Sequence, residues 1–143
     1  VTPDAIHVRP SRKLEARDIT TKEYPGFTTD LQPPFTVLLT QTKGVSLIHE
    51  TIFDGRLFWT EKIKKMGANI TLSDPHRAVV EGPTPLHGST QESPDLRAGL
   101  ALIIAALAAK GKSVIENVYQ IDRGYERIEE RLRGIGAEIE RVV

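Results

Sequence analysis

The apolar positions of the chain change period several times, from helical to strand-like and back. Leu31, Phe35, Leu38 and Leu39 share one helical face, and the run over 96–109 is apolar on every face. A helix of the second kind is expected to be buried on every side. The pattern predicts two further helices, at 58–66 and 126–135. Runs rich in β-branched residues predict strands at 45–52, 70–72, 78–80, 113–119 and 138–143.

The predicted elements occur twice in the same order. Asp30 opens a helix followed by Lys43-Gly44, and Asp95 opens one followed by Lys110-Gly111. In each case a strand, an arginine-bearing loop and a second helix come next. A repeat of this length is the unit of folding, so we expect an α/β protein built from helix-strand-helix-strand-strand units. All 143 residues are assigned to one domain, with 1–23 as the tail of a preceding repeat, 24–85 as a repeat and 86–143 as a truncated repeat.

Composition and charge exclude several classes of function. The 19 basic and 19 acidic residues leave a net charge of zero, whereas a surface that binds nucleic acid regardless of sequence needs a cationic excess. The chain has no cysteine, and its four histidines share no metal-ligand spacing. Its longest apolar run, 100–109, is too short to cross a bilayer. We therefore expect no metal, nucleic-acid or membrane partner. Since no leader segment opens the chain, a cytoplasmic setting is the default expectation.

Two aspartates, Asp30 and Asp95, stand at matching helix starts. The simpler interpretation is that each is an N-cap, whose carboxylate accepts free backbone N–H groups of the first turn and contributes about 1 kcal/mol. The alternative is a carboxylate that acts on a substrate hydroxyl as a general base or hydrogen-bond acceptor. The two roles agree only in part, since a capping oxygen is already occupied.

Three arginines lie near helix starts. Arg97 is one turn into the apolar helix, where an unpaired charge is costly to bury. Arg56 and Arg123 occupy equivalent loops between a strand and a helix. Arginine binds phosphate and carboxylate through two parallel hydrogen bonds, so the three side chains would suit an anionic substrate. Three separate surface salt bridges are the competing interpretation.

Three segments carry a resemblance to a known family. Residues 25–32 (PGFTTDLQ), 50–56 (ETIFDGR) and 119–129 (YQIDRGYERIE) resemble, in order, motifs of the UDP-N-acetylglucosamine 1-carboxyvinyltransferases, a family of enolpyruvyl transferases. The resemblance implies an inside-out α/β barrel of two domains, each with three repeats whose helices are buried inside sheets. It also implies that this chain is the C-terminal part of a longer enzyme. Thr28 and the pair Asp54-Gly55 depart from the motifs, which leaves the geometry of their loops open.

By this resemblance three residues would be catalytic. Asp30 would contact the sugar 3-hydroxyl that attacks phosphoenolpyruvate, Asp95 would lie close to the reaction centre, and Arg123 would line the phosphoenolpyruvate site. The addition–elimination reaction needs the hydroxyl deprotonated, the enol carbon protonated and phosphate released. A cation placed beside the phosphate would stabilise it as it leaves.

The resemblance implies a wider set of substrate-binding residues and no cofactor. Arg97 would share the phosphoenolpyruvate site with Arg123, with Arg56 nearby. The backbone of Ile52, with Phe53 beside it, would contact the UDP-sugar. The full set of substrate-binding residues is Asp30, Ile52, Phe53, Arg56, Arg97 and Arg123.

The implied activity is transfer of enolpyruvyl from phosphoenolpyruvate to the 3-hydroxyl of UDP-N-acetylglucosamine. That is the first committed step of peptidoglycan synthesis, and so of cell-wall formation, cell shape and division. The chain alone is expected to be inactive, because the site closes between two domains and the N-terminal part of the enzyme would be its missing partner. Apolar surface left open in this way would favour self-association. Two alternatives stay open: a 5-enolpyruvylshikimate-3-phosphate synthase-like transferase, and a non-catalytic structural or binding module of the same fold.

Overall fold

The computed structural model describes residues 3–9, 11 and 13–142. Parts of the predicted first segment (residues 1, 2, 10 and 12) and the last residue of the predicted final strand, Val143, lie outside the described residues. In chain order the elements are β1 (Ile19–Thr20), α1 (Gln32–Leu39), β2 (Gly44–His49), α2 (Thr60–Lys64), β3 (Asn69–Asp74), β4 (Arg77–Gly82), β5 (Thr90–Glu92), α3 (Leu96–Ala108), β6 (Val114–Glu116), α4 (Tyr119–Asp122) and α5 (Ile128–Arg133).

A four-stranded sheet in the order β1-β2-β4-β3 forms one layer of the fold. β4 lies between β2 and β3 and runs antiparallel to both, while β1 joins the outer edge of β2 in parallel. Ile48 of β2 stands opposite Ala78 of β4, and both are fully buried together with Val80. Alternate residues of these strands therefore form the inner face, as their period of two predicts. The predicted strands at 45–52, 70–72 and 78–80 are confirmed, with β2 ending at His49.

The apolar helix α3 packs against α1 and forms the centre of the core. Ala101, Leu102 and Ala105 are fully buried. The helix is not buried on every side, however, because Leu107 in its last turn is 42% exposed. The expectation of burial all round is thus wrong at the C-terminal end of α3 and confirmed in its middle. No helix in the described part of the chain is both long and apolar enough to cross a membrane.

A second, two-stranded parallel sheet is formed by β5 and β6. Just beyond β5, the fully buried Ser93 ties this sheet to the start of α3. The Ser93 N–H donates to the carbonyl of Glu116 at 3.0 Å, and its hydroxyl donates to the carbonyl of Asp95 at 3.0 Å. Asn117 donates from its side-chain amide to the Ser93 carbonyl at 2.9 Å. These bonds fix the point at which α3 begins.

Three predicted elements are shorter than expected. The predicted helix at 58–66 is a 3-10 turn over Arg56–Trp59 followed by α2, and the one at 126–135 is reduced to α5. The predicted strand at 113–119 is reduced to β6, and its end belongs instead to α4, which the periodicity did not predict. Short helices of this kind depend on tertiary packing rather than on their own periodicity.

The strand predicted at 138–143 does not form over its described residues. The backbone groups of a strand need a neighbouring strand to pair with, and none of the described strands lies against this segment. A side-chain cluster holds it instead. Arg141 donates two hydrogen bonds to the carboxylate of Asp122, at 2.9 and 2.7 Å, and two to Glu129, at 3.0 Å each.

Replacing Arg141 by methionine should lower stability at neutral pH and leave it almost unchanged in strong acid. The guanidinium donates hydrogen bonds to the ionised carboxyls of Asp122 and Glu129 and so holds the pKa of each below its ordinary value. A carboxyl whose pKa is lowered by folding adds stability above its unfolded-state pKa, and this stability is lost as pH falls through the folded-state pKa. We expect a loss of about 0.5–1 kcal/mol at neutral pH, as for other solvent-exposed pairs.

Urea unfolding of both proteins across the acid range measures this difference. Arg131→Met is the control, because Arg131 lies exposed on the same helix as Glu129 and outside the cluster. It should change stability little at any pH. An Arg141→Met effect that is as large in strong acid as at neutral pH would contradict the assignment to these carboxyls.

Candidate active site

Asp30 lies in a 3-10 turn, Thr29–Leu31, directly before α1. Neither the turn nor α1 has a side-chain cap hydrogen bond, and the Asp30 side chain is 54% exposed. The N-cap interpretation of Asp30 is therefore wrong. A cap bonds to the backbone N–H groups two or three residues after it. After Asp30 these positions are Gln32, whose N–H donates to the Thr29 carbonyl, and Pro33, which has no N–H.

The Asp30 carboxylate instead contacts two of the predicted arginines. Arg97 Nε donates to Asp30 Oδ1, and Arg56 Nη1 lies 3.5 Å from the same oxygen. The side chains of Arg56 and Arg97 are 17% and 33% exposed. Since both arginines share one carboxylate oxygen, they do not form separate surface salt bridges. The structure thus brings together three predicted site residues from three different segments of the chain.

Asp95 is the N-cap of α3, and its Oδ1 accepts the backbone N–H groups of Arg97 at 2.8 Å and Ala98 at 3.0 Å. The capping interpretation is confirmed for this aspartate. Because the cap fixes the first turn of α3, it also fixes the point from which the Arg97 side chain reaches Asp30. Asp95 and Asp30, which the repeat placed at matching positions, therefore have different contacts.

The loop after β2 contributes Ile52, Phe53 and Arg56. The backbone N–H groups of Ile52 and Phe53 donate to Oε1 of Glu50, at 2.9 and 3.2 Å. The Arg56 guanidinium lies over the Phe53 ring, 4.2 Å from its centroid, which favours a cation through the charge distribution of the ring. Glu50 was not predicted as a site residue. The signal that could have found it is an acidic residue placed directly after a buried strand.

A cavity of about 210 Å³ opens beside the two arginines that bind the Asp30 carboxylate. Its lining residues are Pro33, Arg56, Trp59, Asp95, Arg97 and Ala98. Two guanidinium groups in a small cavity suit the phosphate or carboxylate of an anionic substrate. The described residues contain no group of three or more histidines, aspartates or glutamates that could hold a metal ion.

Arg123 is not brought to this cavity. It is exposed at the end of α4, and its Nη1 donates to Oε1 of Gln120 at 3.3 Å. This bond does not connect Arg123 to Asp30, Arg56 or Arg97. The role of Arg123 at the site stays a prediction.

Comparison with known proteins identifies close relatives of the chain. Residues 1–132 match the family model described as EPSP synthase (3-phosphoshikimate 1-carboxyvinyltransferase). Similar proteins named UDP-N-acetylglucosamine 1-carboxyvinyltransferase come from Treponema denticola (56% identical over 117 residues), Koribacter versatilis (47% over 139 residues) and Helicobacter pylori (44% over 142 residues). The matches cover 82%, 97% and 99% of this chain but only 28%, 32% and 33% of those proteins. The chain thus spans about a third of the length of the curated relatives it matches.

Two solved structures resemble the fold. The enolpyruvyl transferase NikO from Streptomyces tendae aligns with a TM-score of 0.83 at 29% identity, over 92% of this chain and 30% of that one. EPSP synthase from Acinetobacter baumannii aligns with a TM-score of 0.63 at 16% identity, over 80% of this chain and 27% of that one. The second likeness concerns the fold alone.

Proposed function

Since the chain belongs to the EPSP synthase family of enolpyruvyl transferases, we propose that it forms one wall of an enolpyruvyl transfer site. The reaction moves enolpyruvyl from phosphoenolpyruvate to the 3-hydroxyl of UDP-N-acetylglucosamine and releases phosphate. The observation that carries this proposal is the Asp30 carboxylate held by Arg56 and Arg97, two arginines that line a cavity. The names of the relatives at 44–56% identity support this acceptor.

The two arginines suit the anionic groups of phosphoenolpyruvate. Before substrate arrives, Asp30 neutralises part of their charge. When the phosphate and carboxylate of the substrate occupy the guanidinium groups, the Asp30 carboxylate is released to accept the proton of the sugar 3-hydroxyl. The hydroxyl oxygen then bonds to the enol carbon bearing the phosphate, while a general acid from the part of the enzyme outside this chain adds a proton to the methylene carbon. That group, now a base, takes back one methyl proton as phosphate leaves with the C–O bonding electrons, which restores the double bond, and the proton held by Asp30 is passed to the released phosphate. In this proposal one substrate frees the base that activates the other.

The remaining predicted residues extend this site. The N–H of Ile52 already donates to Glu50, so the contact with the UDP-sugar that we propose for the Ile52 backbone is made through its carbonyl oxygen, with Phe53 beside it. Asp95 lines the cavity with one oxygen engaged in capping α3, and we propose that it lies near the reaction centre. Arg123 is proposed as a third cation that joins the phosphoenolpyruvate site when the enzyme closes around its substrates.

We also propose how the chain fits into a larger enzyme and which process that enzyme serves. Residues 24–85 and the truncated 86–143 would be repeats of an inside-out α/β barrel, whose helices lie inside a ring of sheets. The likeness to NikO over 92% of the chain supports this. The other two-thirds of the enzyme would supply the rest of the site, and the reaction would serve peptidoglycan synthesis in the cytoplasm. The 5-enolpyruvylshikimate-3-phosphate alternative rests on the description of the matching family model.

A hybrid enzyme tests the proposed function. In the Koribacter versatilis relative, the 139 matching residues are replaced by those of this chain; we call this protein the hybrid enzyme. It should release phosphate only when phosphoenolpyruvate and UDP-N-acetylglucosamine are both present, while the 143-residue chain alone should release none. A hybrid enzyme that unfolds at the temperature of the parent relative and yet makes no product would overturn the proposal. Turnover with shikimate 3-phosphate in place of the UDP-sugar would favour the alternative acceptor.

A further inference from the structure

A fully buried carboxylate, Glu50, lies behind the proposed site. Its Oε1 accepts hydrogen bonds from the Thr21 hydroxyl at 3.0 Å and from the N–H groups of Ile52 and Phe53, and its Oε2 accepts from the Thr29 hydroxyl at 2.8 Å. An ionised carboxylate is an acceptor only, and its burial is costly unless donors surround it. Four donors from three separate segments meet this need.

The backbone of Glu50 is fixed as firmly as its side chain. Its N–H donates to the carbonyl of His76 at 2.8 Å, and its carbonyl lies 2.9 Å from Nδ1 of the same histidine. A carbonyl only accepts, so Nδ1 must be the donor in that bond. His76 belongs to the turn between β3 and β4, which anchors Glu50 to the main sheet. Glu50 is therefore held in place through both its backbone and its side chain, and it can in turn fix the groups that donate to its carboxylate.

The Thr29 hydroxyl links this fixed carboxylate to the site. It donates to Glu50 Oε2 and accepts from Arg56 Nη1 at 3.1 Å. Thr29 is also the residue directly before Asp30. The ring of Phe53 also lies against the Arg56 guanidinium, and the Phe53 N–H donates to Glu50. Two of the residues that contact the Arg56 guanidinium, Thr29 and Phe53, are thus bound to the same carboxylate.

We propose that Glu50 is a positioning residue of the enolpyruvyl transfer site, which orients the Arg56 guanidinium through Thr29. The expected change in KM rests on the proposed function, whereas the expected change in the orientation of Arg56 does not. Glu50 touches no substrate and acts through Arg56. Loss of its bond to Thr29 should therefore weaken the binding of phosphoenolpyruvate, while the UDP-sugar stays bound as before because the other carboxylate oxygen still holds the backbone of Ile52 and Phe53.

The first test uses the 143-residue chain itself, with the Arg56 guanidinium signal followed by nuclear magnetic resonance. In Glu50→Gln the amide oxygen can still accept from Ile52 and Phe53, but an NH₂ group replaces the oxygen that accepts from Thr29. The Arg56 signal should shift and broaden, while the Ile52 and Phe53 amides stay protected from hydrogen exchange. Thr29→Val cuts the same link from its other end and should give the same change in the Arg56 signal. Thr29→Ser keeps the hydroxyl and should restore the original signal.

The second test places the same substitutions in the hybrid enzyme. Glu50→Gln and Thr29→Val should each raise the KM for phosphoenolpyruvate about tenfold, with the KM for UDP-N-acetylglucosamine changed less than about twofold. The double variant should be no worse than either single one, because both break one link. Glu61→Gln, the same change at an exposed glutamate paired with Lys64, should alter neither constant.

The two tests separate the possible failures. An Arg56 signal that is unchanged in both Glu50→Gln and Thr29→Val would overturn the positioning role even if the hybrid enzyme is active. A merely structural role is indicated if stability falls while both KM values stay equal to those of the unsubstituted hybrid enzyme, and this also overturns the proposal. An inactive hybrid enzyme together with a displaced Arg56 signal would support the positioning of Arg56 and count against the proposed function alone.

Discussion

The hybrid enzyme carrying Asp30→Asn should turn over about 10²–10⁴-fold more slowly than the unsubstituted one, the range typical of losing a general base. Asparagine has nearly the same shape and can still accept a hydrogen bond from Arg97, but it cannot take a proton from the sugar hydroxyl. The KM for phosphoenolpyruvate should change much less, because Arg56 and Arg97 remain in place. Phosphate release at saturating concentrations of both substrates measures the loss.

Asp54→Asn is the matched control for this substitution. Asp54 lies in the same loop as Arg56, but its side chain is 93% exposed and pairs with His76 rather than with the arginines. The same loss of charge at that position should leave turnover within about twofold of the unsubstituted enzyme. If Asp30→Asn keeps more than half of the turnover, or if the two variants fall equally, Asp30 is not the base.

The periodicity of the chain was sufficient to predict the elements that are long or that pair with a neighbour close in sequence. The helix α3 and the pairing of β3 with β4 both follow from residues close together in sequence, so a local pattern predicts them. The last predicted strand failed because its formation depends on a partner strand, and Arg141 and its carboxylates hold the segment in another way. The pattern indicates which backbone can become a strand but not whether a neighbour is present.

The residue types of the candidate site could be predicted, but most of its contacts could not. Asp30 and Asp95 look alike in sequence as helix-opening aspartates. The proline three residues after Asp30 distinguishes them, because Pro33 lacks the N–H that corresponds to the one Ala98 donates to Asp95. The hydrogen bond between Arg97 and Asp30 connects residues far apart in the chain, so no local sequence pattern can predict it.

The largest effect on stability is expected in α3, where Leu102→Ala should destabilise the 143-residue chain by about 2–5 kcal/mol. Leu102 is fully buried in the core that α3 forms with α1 and the main sheet. Removing its three outer carbons loses their transfer free energy and leaves a cavity that close-packed neighbours can fill only in part. Because a domain is stable by only about 5–15 kcal/mol, such a loss should be visible as a large fall in the urea midpoint.

Leu107→Ala makes the same change on the same helix at a residue that is 42% exposed. It should cost less than Leu102→Ala, about 1 kcal/mol, since less apolar surface is removed from water there. The comparison also tests whether the exposed end of α3 is covered in solution. If self-association covers Leu107, its substitution will cost more at high protein concentration than at low concentration. A cost equal to that of Leu102→Ala at every concentration would contradict the burial pattern of α3, because both leucines would then be core residues of one molecule.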